Sequence, residues 1–269
     1  MDDRPPSATP MEAAADTSGY TFDRNTSWHA WVEAYDGVHP LADRGAAYGT
    51  NTTSALQRAP VVAIDMDIRH LDILRERTPP ALRPPLETIS GKLPDDLHHV
   101  EARFSSLLVS EGLHFLSPHD VTQAFEARWR LLIPGGRLVL TALSLYNLNT
   151  DTLGLVPELA ARCRADVDAT AFPGWFPDFS AGKSIIPDPY RSHIPNWIHF
   201  FSAAQLHTLA TRAGFEVELA CMARPASYPP FAFCDQYAQE QVGLIAHKPR
   251  QGRVSTGQEE ERQWPQAVM

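Results

Sequence analysis

Cysteine is scarce in this sequence of 269 residues, and the three cysteines stand far apart. Cys163, Cys221 and Cys234 form no C-x-x-C pair, which excludes a zinc knuckle and fits a reduced, intracellular protein. The first residues are acidic and rich in proline, without the apolar segment of a secretory signal. We therefore expect a cytoplasmic location.

Long apolar runs and clusters of basic residues are also missing. No stretch approaches the ~20 apolar residues that a membrane-spanning helix needs. The formal net charge is −9, whereas a nucleic-acid surface needs clustered lysine and arginine to neutralise phosphates. We expect a small-molecule substrate as partner, no membrane and no nucleic acid, and we leave a homodimer open.

Motifs for two other chemistries are absent. The sequence contains no G-x-S-x-G, so a serine nucleophile of the hydrolase type has no support. His98 and His99 are adjacent, and no histidine pair has the helical spacing and acidic partner of a zinc site. We expect no metal.

Apolar runs alternate with helix-like segments along the middle of the chain. The runs predict strands at 59–65, 105–110, 137–143, 215–220 and 242–248, and periodic spacing predicts helices at 68–78, 117–132 and 202–215. Ser117 and Pro118 begin one helix, and Ser202 with Gln205 forms a capping box at another. The alternation predicts an α/β fold, with a mainly parallel sheet and helices on both faces.

Composition divides the chain into a domain at 20–249 and two tails. Residues 1–19 are predicted to be a disordered N-terminal tail, and 250–269 to be a flexible C-terminal tail. Within the domain, 146–200 is too long for a simple connection and is dense in aromatic residues and prolines. We interpret it as an inserted cap over a substrate pocket.

The segment PLADRGAAYGTNT at 40–52 predicts a strand end followed by a turn of small residues. Gly45 and Gly49 bracket this turn and would let the backbone approach a ligand closely. Asp65 ends the next predicted strand, where an acidic residue can accept hydrogen bonds from ribose hydroxyls. The alternative is an ordinary surface turn, with Asp65 capping the next helix.

A dinucleotide loop would read G-x-G-x-x-G, which Gly45, Ala47 and Thr50 match poorly. The ordered segments instead resemble class I S-adenosylmethionine-dependent methyltransferases. The segments are LADRGAAYGTNT, VVAIDMD, FSSLLVSEGLHFLS, LLIPGGRLVLTALS, AGFEVELA and VGLIAHKP. This resemblance covers about residues 38–145 and 196–249, and PGGRLVL is its most specific element. It implies a Rossmann-like sheet of seven strands and S-adenosyl-L-methionine as cofactor.

The resemblance also implies which residues bind the cofactor. The turn would hold the methionine part, Asp65 would bind the ribose hydroxyls, and Met66 would lie against the adenine. Residues after the third strand would flank the adenine edge, and those that end the fourth strand would face cofactor and substrate. The implied set is Asp43, Gly45, Ala46, Ala47, Tyr48, Gly49, Asp65, Met66, Lys92, Leu93, Ser110 and Glu111.

Several positions depart from the family's pattern. Arg44 stands where an apolar residue is usual, Ala47 replaces the middle glycine, and Ser105 takes a place often held by Asp. GKLPDD lacks an acidic residue at the usual adenine-amine position, unless Asp95 or Asp96 reaches it. A cofactor-binding relative that does not methylate is therefore one alternative.

Methyl transfer needs a base only when the nucleophile must lose a proton during attack. The candidates are Glu111, His114, His199 and His193, the last without a placement. His114 follows the fourth strand as a catalytic candidate, with packing under the cap as its alternative; for His199 packing is the more frequent role. Tyr146 and Asn147 would either contact substrate or shape the loop after the fifth strand.

Residues 21–37 predict a helix with Trp28, Trp31, Val32 and Tyr35 along one face. Core packing is the first interpretation of this stripe, and closing over the cofactor is the alternative.

Together these observations predict S-adenosylmethionine-dependent methyl transfer, by in-line displacement, to a small hydrophobic or aromatic metabolite. The aromatic density at 172–201 and 228–237 suggests this class, with oxygen or nitrogen favoured over carbon as acceptor atom. The alternatives are the non-methylating relative, with a rearrangement or regulatory role, and an NAD(P)-dependent oxidoreductase.

Overall fold

The computed structural model describes residues 28–94, 97, 99–186, 191, 194–225 and 233–250, and the backbone of 12–13 and 20–21. Within the predicted N-terminal tail it describes only Glu12–Ala13 (β1), which pairs antiparallel with Tyr20–Thr21 (β2). Of the predicted C-terminal tail, 251–269 lies outside the described residues. The limits of the domain and of both tails therefore stay predictions.

The other elements follow in chain order. The strands are β3 Leu41–Arg44, β4 Val61–Asp65, β5 Leu86–Ser90, β6 Phe104–Ser110, β7 Leu132–Tyr146, β8 Trp175–Phe176, β9 Ile198–His199, β10 Glu216–Ala223 and β11 Gln239–His247. The helices are α1 Trp28–Glu33, α2 Thr50–Ala55, α3 Ile68–Arg77, α4 Pro118–Leu131, α5 Leu148–Thr152, α6 Val156–Ala165, α7 Ser180–Lys183 and α8 Ala203–Arg212. Short 3-10 turns lie at Pro80–Leu82 and Leu113–Phe115. Among the described residues, no helix combines the length and apolar character needed to cross a membrane.

The central sheet has seven strands in the order β10-β11-β7-β6-β3-β4-β5. Strands β3 to β7 pair in parallel, whereas β11 runs antiparallel to β7 and β10 antiparallel to β11. The strands β3 and β4 are buried along their whole length, as expected when helices cover both faces of a parallel sheet. The predicted α/β fold with a mainly parallel, Rossmann-like sheet is confirmed.

The helix boundaries follow the capping residues of the sequence. The side chain of Ser117 accepts a hydrogen bond from the Asp120 amide at the start of α4. Ser202 does the same for the Gln205 amide at the start of α8, and Gly214 follows that helix with φ +95°. Such side-chain caps satisfy amides that have no partner inside the helix.

Strand β7 is longer than the predicted 137–143. Its pairing with β6 begins at Phe104 opposite Leu132 and shifts register before Ser106 meets Arg137. The inserted Ile-Pro-Gly-Gly segment therefore lies within the strand as an irregularity, with Gly135 at φ +83°. The helix before it ends at Leu131, as the same segment predicts.

Beyond the end of β6, a different segment takes its place beside β7. The backbone at Phe201 forms an isolated parallel bridge with Ser144 and exchanges hydrogen bonds with Leu143 and Leu145. The predicted cap thus returns to the sheet at the carboxyl end of β6. This position places the cap next to the edge where the predicted site residues lie.

Helix α1 packs into the core on one face of the sheet. Trp28, Trp31 and Val32 are buried in a cluster with residues of β3, β4, β6 and β7, and Tyr35 is partly buried against it. Core packing is therefore the role of the aromatic stripe in this structure.

Candidate active site

The sheet order reverses at β3, which has β4 on one side and β6 on the other. In open α/β sheets, ligands bind beyond the carboxyl ends of the strands at such a switch point. The turn at 45–49 follows β3, Asp65 ends β4, and Glu111 follows β6. The predicted cofactor residues from these strands therefore line one edge of the sheet.

The turn after β3 is held against β4 by backbone hydrogen bonds. The amides of Gly45 and Ala46 donate to Ile64 O over 2.8 and 3.2 Å. Gly45 and Gly49 have left-handed φ values of +77° and +81°. A Cβ on Gly45 would meet no heavy atom within 4 Å, whereas a Cβ on Gly49 would lie 2.0 Å from Leu74 Cδ1. Packing against α3 thus requires Gly49, while Gly45 leaves space beside the edge.

Asp65 is buried and accepts hydrogen bonds from three donors. Its Oδ2 accepts from the Ala47 amide over 2.8 Å. Its Oδ1 accepts from the Asp67 amide and lies opposite His70 Nδ1, both over 3.0 Å. The residue that caps α3 is Asp67, whose side chain accepts from the Arg69 amide. The alternative in which Asp65 caps this helix is therefore wrong.

Asp43 lies in β3, just before the turn, and is buried. Thr52 Oγ1 on α2 donates a hydrogen bond to Asp43 Oδ2 over 2.7 Å. Burial raises the pKa of Asp43 to about 7; the hydrogen bond from Thr52 opposes this effect, and the charge of Asp65 adds to it. A cationic group placed beside Asp43 would favour its charged form.

The residues predicted to face the adenine are more exposed than Asp43 and Asp65. Met66 follows Asp65 with 54 % of its surface accessible, Lys92 is exposed and Leu93 is half-buried. Arg44, the unusual residue of the turn motif, is buried and donates from Nη2 to Lys92 O over 3.0 Å. This bond connects the end of β3 to the segment after β5, across the intervening strand β4.

Glu111 follows β6 in a left-handed conformation, with φ +55°. Gln241 of β11 reaches across β7, and its Nε2 donates to Glu111 Oε1 over 2.6 Å. His114 Nδ1 stands 3.8 Å from Glu111 Oε2, too far for a hydrogen bond. The Glu111 side chain remains 17 % exposed. One carboxylate oxygen of Glu111 is thus bound by Gln241, and part of the side chain is exposed.

The other two catalytic candidates are buried. Burial lowers the pKa of both His114 and His199 to about 3, so both imidazoles are neutral at neutral pH. The His199 ring stacks on Phe201 with 4.1 Å between centroids and contacts Phe172 and Trp175 edge-on. These are packing contacts, and the role of either histidine as proton acceptor stays a prediction. His193, Asp95 and Asp96 lie outside the described residues.

Aromatic side chains in the segment interpreted as a cap pack largely against one another. The rings of Phe176, Phe179 and Phe200 lie 5.3 to 5.9 Å apart. Trp197, by contrast, is 46 % exposed, and its Nε1 donates to Phe115 O over 3.1 Å. Aromatic density in this segment therefore reflects a local core as well as an exposed surface.

Tyr146 is the last residue of β7, and Asn147 follows it. Asn147 shapes the loop, because its side chain accepts from the Asn149 amide at the start of α5. The Tyr146 ring packs against Tyr237, 5.1 Å away.

Sequence reasoning missed Thr52, His70 and Gln241. His70 lies beside Leu71 and Leu74 on the buried face of α3, and a polar residue on such a face is a usable signal. Gln241 is 130 positions from Glu111, so no local pattern could connect them. In the described part of the chain, no cluster of three or more His, Cys, Asp or Glu side chains is arranged to hold a metal.

Comparisons with known proteins agree with this architecture. Residues 42–140 match the family described as "Methyltransferase domain". No curated protein sequence matches the chain.

Three solved structures have a similar fold. A SAM-dependent methyltransferase from Methanosarcina mazei shares 17 % identity over 85 % of this chain and 100 % of its own, with a TM-score of 0.60. The glycopeptide N-methyltransferase MtfA, complexed with S-adenosyl-L-homocysteine, shares 14 % over 86 % and 92 %, with a TM-score of 0.56. The 1,6-didemethyltoxoflavin-N1-methyltransferase of Burkholderia thailandensis shares 16 % over 83 % and 77 %, with a TM-score of 0.50.

At these identities the structural likeness concerns the fold, and the family match concerns the segment from β3 to β7. Both agree with the α/β architecture described above. Residues 42–140 thus match the methyltransferase-domain family, and the sheet has the Rossmann-like fold of the S-adenosylmethionine-dependent methyltransferases to which it is similar.

Proposed function

We propose that this protein binds S-adenosyl-L-methionine along the carboxyl edge of β3 to β6 and transfers its methyl group to a small hydrophobic or aromatic metabolite. The supporting observation is the pairing of the turn with Asp65: backbone with free space at Gly45, beside a buried carboxylate. Bound there, the cofactor supplies a methyl group activated on a sulfonium, and the protein supplies binding and alignment.

The edge offers a matching group for each part of the cofactor. Asp65 accepts from the ribose, and Asp43 faces the cationic amino group of the methionine part. Met66 covers the adenine, flanked by Lys92 and Leu93. The remaining residues of the turn, Ala46, Ala47 and Tyr48 with the two glycines, set the path of the backbone under the ligand.

For the chemical step, alignment of the acceptor with the methyl group contributes most, up to ~7–11 kcal/mol in well-oriented systems. Glu111 is the best-supported proton acceptor, because its side chain is partly exposed at the edge and Gln241 binds one of its oxygens. His114 and His199 have weaker support, since both rings are packed in the interior. An oxygen or nitrogen acceptor would use such a base when it loses its proton during attack.

The choice of a hydrophobic or aromatic acceptor is supported by aromatic side chains of the cap that are at least partly exposed. Trp175 and Phe176 are half-buried, and Trp197 is exposed. Flat apolar molecules are natural partners for such rings, which prefer offset or edge-on packing.

Calorimetry with S-adenosylhomocysteine tests cofactor binding, with NADH as the comparison ligand. We expect Asp65→Ala to weaken binding by about 10- to 100-fold, since hydrogen bonds to charged groups contribute about 1.5–3 kcal/mol. Asp67→Ala is the matched control: it removes a helix cap, about 1 kcal/mol of stability, and leaves the Asp65 carboxylate in place. Binding of NADH instead of the thioether would contradict the proposal.

Methyl transfer itself is tested with labelled cofactor and a panel of phenols, amines and carboxylic acids. We expect transfer to members of the first two groups, and Glu111→Gln to lower the rate with little change in the affinity for S-adenosylhomocysteine. Tight thioether binding without transfer to any acceptor would favour the non-methylating alternative.

A further inference from the structure

A histidine on the buried face of α3 lies directly behind the proposed ribose carboxylate. His70 is 2 % exposed, and its Nδ1 lies 3.0 Å from Asp65 Oδ1. A carboxylate oxygen can only accept, so Nδ1 is the ring nitrogen that carries the proton. Since Asp65 is itself buried, this bond forms in an environment where water does not compete for it.

The two carboxylate oxygens of Asp65 are unequally occupied. Oδ1 receives two donors, His70 Nδ1 and the Asp67 amide, whereas Oδ2 receives one, the Ala47 amide. Each oxygen offers about two acceptor positions. Within the described residues, Oδ2 is therefore the oxygen with room for another donor, and it is also the one next to the turn.

The His70 ring is fixed from a second side. It meets the ring of Tyr48 edge-on with 5.1 Å between centroids, and Arg77 Cζ lies 5.1 Å from the centroid of the same tyrosine ring. Tyr48 belongs to the turn, so one imidazole contacts both the turn and the carboxylate. Rotation of the Asp65 carboxylate would therefore break its hydrogen bond to this buried imidazole.

We infer that His70 is a positioning residue for the cofactor, which acts through Asp65. By holding Oδ1, it directs Oδ2 toward the ribose, so that one hydroxyl of the ribose makes the main contact with this carboxylate. This inference rests on the proposed function, because it concerns the same cofactor site.

Substitutions that keep or move the donor test this role. Asparagine places its amide nitrogen near the position of Nδ1, whereas glutamine places it about one bond further out and leucine has no donor. With S-adenosylhomocysteine in calorimetry, we expect His70→Asn to bind within about threefold of wild type. We expect His70→Leu and His70→Gln to bind about tenfold or more weakly, the loss of one buried hydrogen bond to a charged group.

Two further measurements separate positioning from a merely structural role. In the Asp65→Ala background, His70→Leu should cause no additional loss, because its path to the ligand is gone. With 5′-methylthioadenosine and its 2′,3′-dideoxy analogue as probes, the loss should appear for the diol alone. Thermal melting identifies any variant that does not fold. If His70→Leu does not fold, the difference in affinity between His70→Asn and His70→Gln still tests the inference, because both side chains are polar.

Equal binding by wild type, His70→Leu and His70→Gln would overturn the inference, as would the same loss with the diol and the dideoxy probe. If the wild-type protein does not bind the thioether, the proposed function is wrong. If the wild-type protein binds it and the His70 substitutions do not change the affinity, only the inference about His70 is wrong.

Discussion

The site edge and the cap both depend on glycine, but for opposite reasons. At the edge, a Cβ on Gly45 would meet no heavy atom within 4 Å. In the cap, a Cβ on Gly174 would lie 1.9 Å from Phe200 O, and one on Gly182 would lie 1.9 Å from the Phe179 ring. A glycine with empty space beside its Cα lets a ligand approach the backbone. A glycine whose Cα is surrounded by other atoms lets two parts of the chain pack closely. A small residue therefore indicates a site only together with what surrounds it.

The turn itself contains both kinds of glycine, which gives the largest predicted effect. Gly49→Ala would require a left-handed alanine and an overlap with Leu74, together about 2–5 kcal/mol. We expect the melting temperature to fall by about 5–15 °C, measured by circular dichroism.

Gly45→Ala is its matched control within the same turn. It has a similar positive φ but no overlap, so the stability cost should be about 1–2 kcal/mol, while its methyl group enters the space proposed for the cofactor. Affinity for S-adenosylhomocysteine should fall by about tenfold or more. If Gly45→Ala and Gly49→Ala had the same stability and the same affinity for S-adenosylhomocysteine, the two glycines would not differ in role.

The carboxyl of Asp43 gives the next largest effect, and its sign depends on pH. Burial raises the pKa of Asp43 to about 7 from an ordinary value of 3.8, so the unfolded chain loses this proton first as the pH rises. Stability is therefore lost between these two values, by at most ~4 kcal/mol. Asp43→Asn removes that loss, because asparagine stays neutral and can still accept from Thr52.

Urea denaturation of the Asp43→Asn variant at about pH 4, 6 and 8 checks this expectation. The variant should match wild type at the lowest pH and be increasingly more stable above it, while it binds S-adenosylhomocysteine more weakly at the highest pH. A variant no more stable than wild type at about pH 8 would show that the buried carboxyl carries no such penalty.

The difference between the two regions also explains what the sequence could predict. The turn and Asp65 belong to consecutive strand–helix units, so their spacing along the chain and the rule for strand ends place them together. The alternation of strands and helices was accessible from pattern alone. Glu111 and the number of strands, by contrast, came from the resemblance to the methyltransferase family.

The cap was less accessible because its contacts are not periodic. Aromatic density indicated a folded segment, but which rings face one another depends on pairs such as Phe176 and Phe200, brought together by β8 and β9. The Gln241 contact to Glu111 likewise depends on a strand added late in the chain, across the width of β7.

A variant in the cap tests whether the two regions are independent. Gly174→Ala places a methyl group against the backbone of Phe200 and should destabilise the pairing of β8 with β9 by about 1–3 kcal/mol. We expect faster limited proteolysis within 146–200, with S-adenosylhomocysteine affinity within about twofold of wild type. Gly154→Ala is the control: at φ +66° it carries the cost of a left-handed alanine, about 1–2 kcal/mol, but its new Cβ has no heavy atom within 4 Å. A loss of cofactor affinity like that of Gly45→Ala would show that the cap supports the edge.

The smallest effect concerns the contact that joins the two regions. Trp197→Phe keeps the exposed ring surface and removes only the Nε1 hydrogen bond to Phe115 O, which is about 0.5–1 kcal/mol for an accessible group. Amide hydrogen exchange at β9 should become about two- to fivefold faster, with cofactor affinity unchanged. Trp129→Phe on α4, another exposed tryptophan, should leave this exchange as it is. If Trp197→Phe alters neither exchange nor the rate of methyl transfer, this side chain does not hold the cap at the edge, and the backbone bridge between Phe201 and Ser144 is the next contact to test.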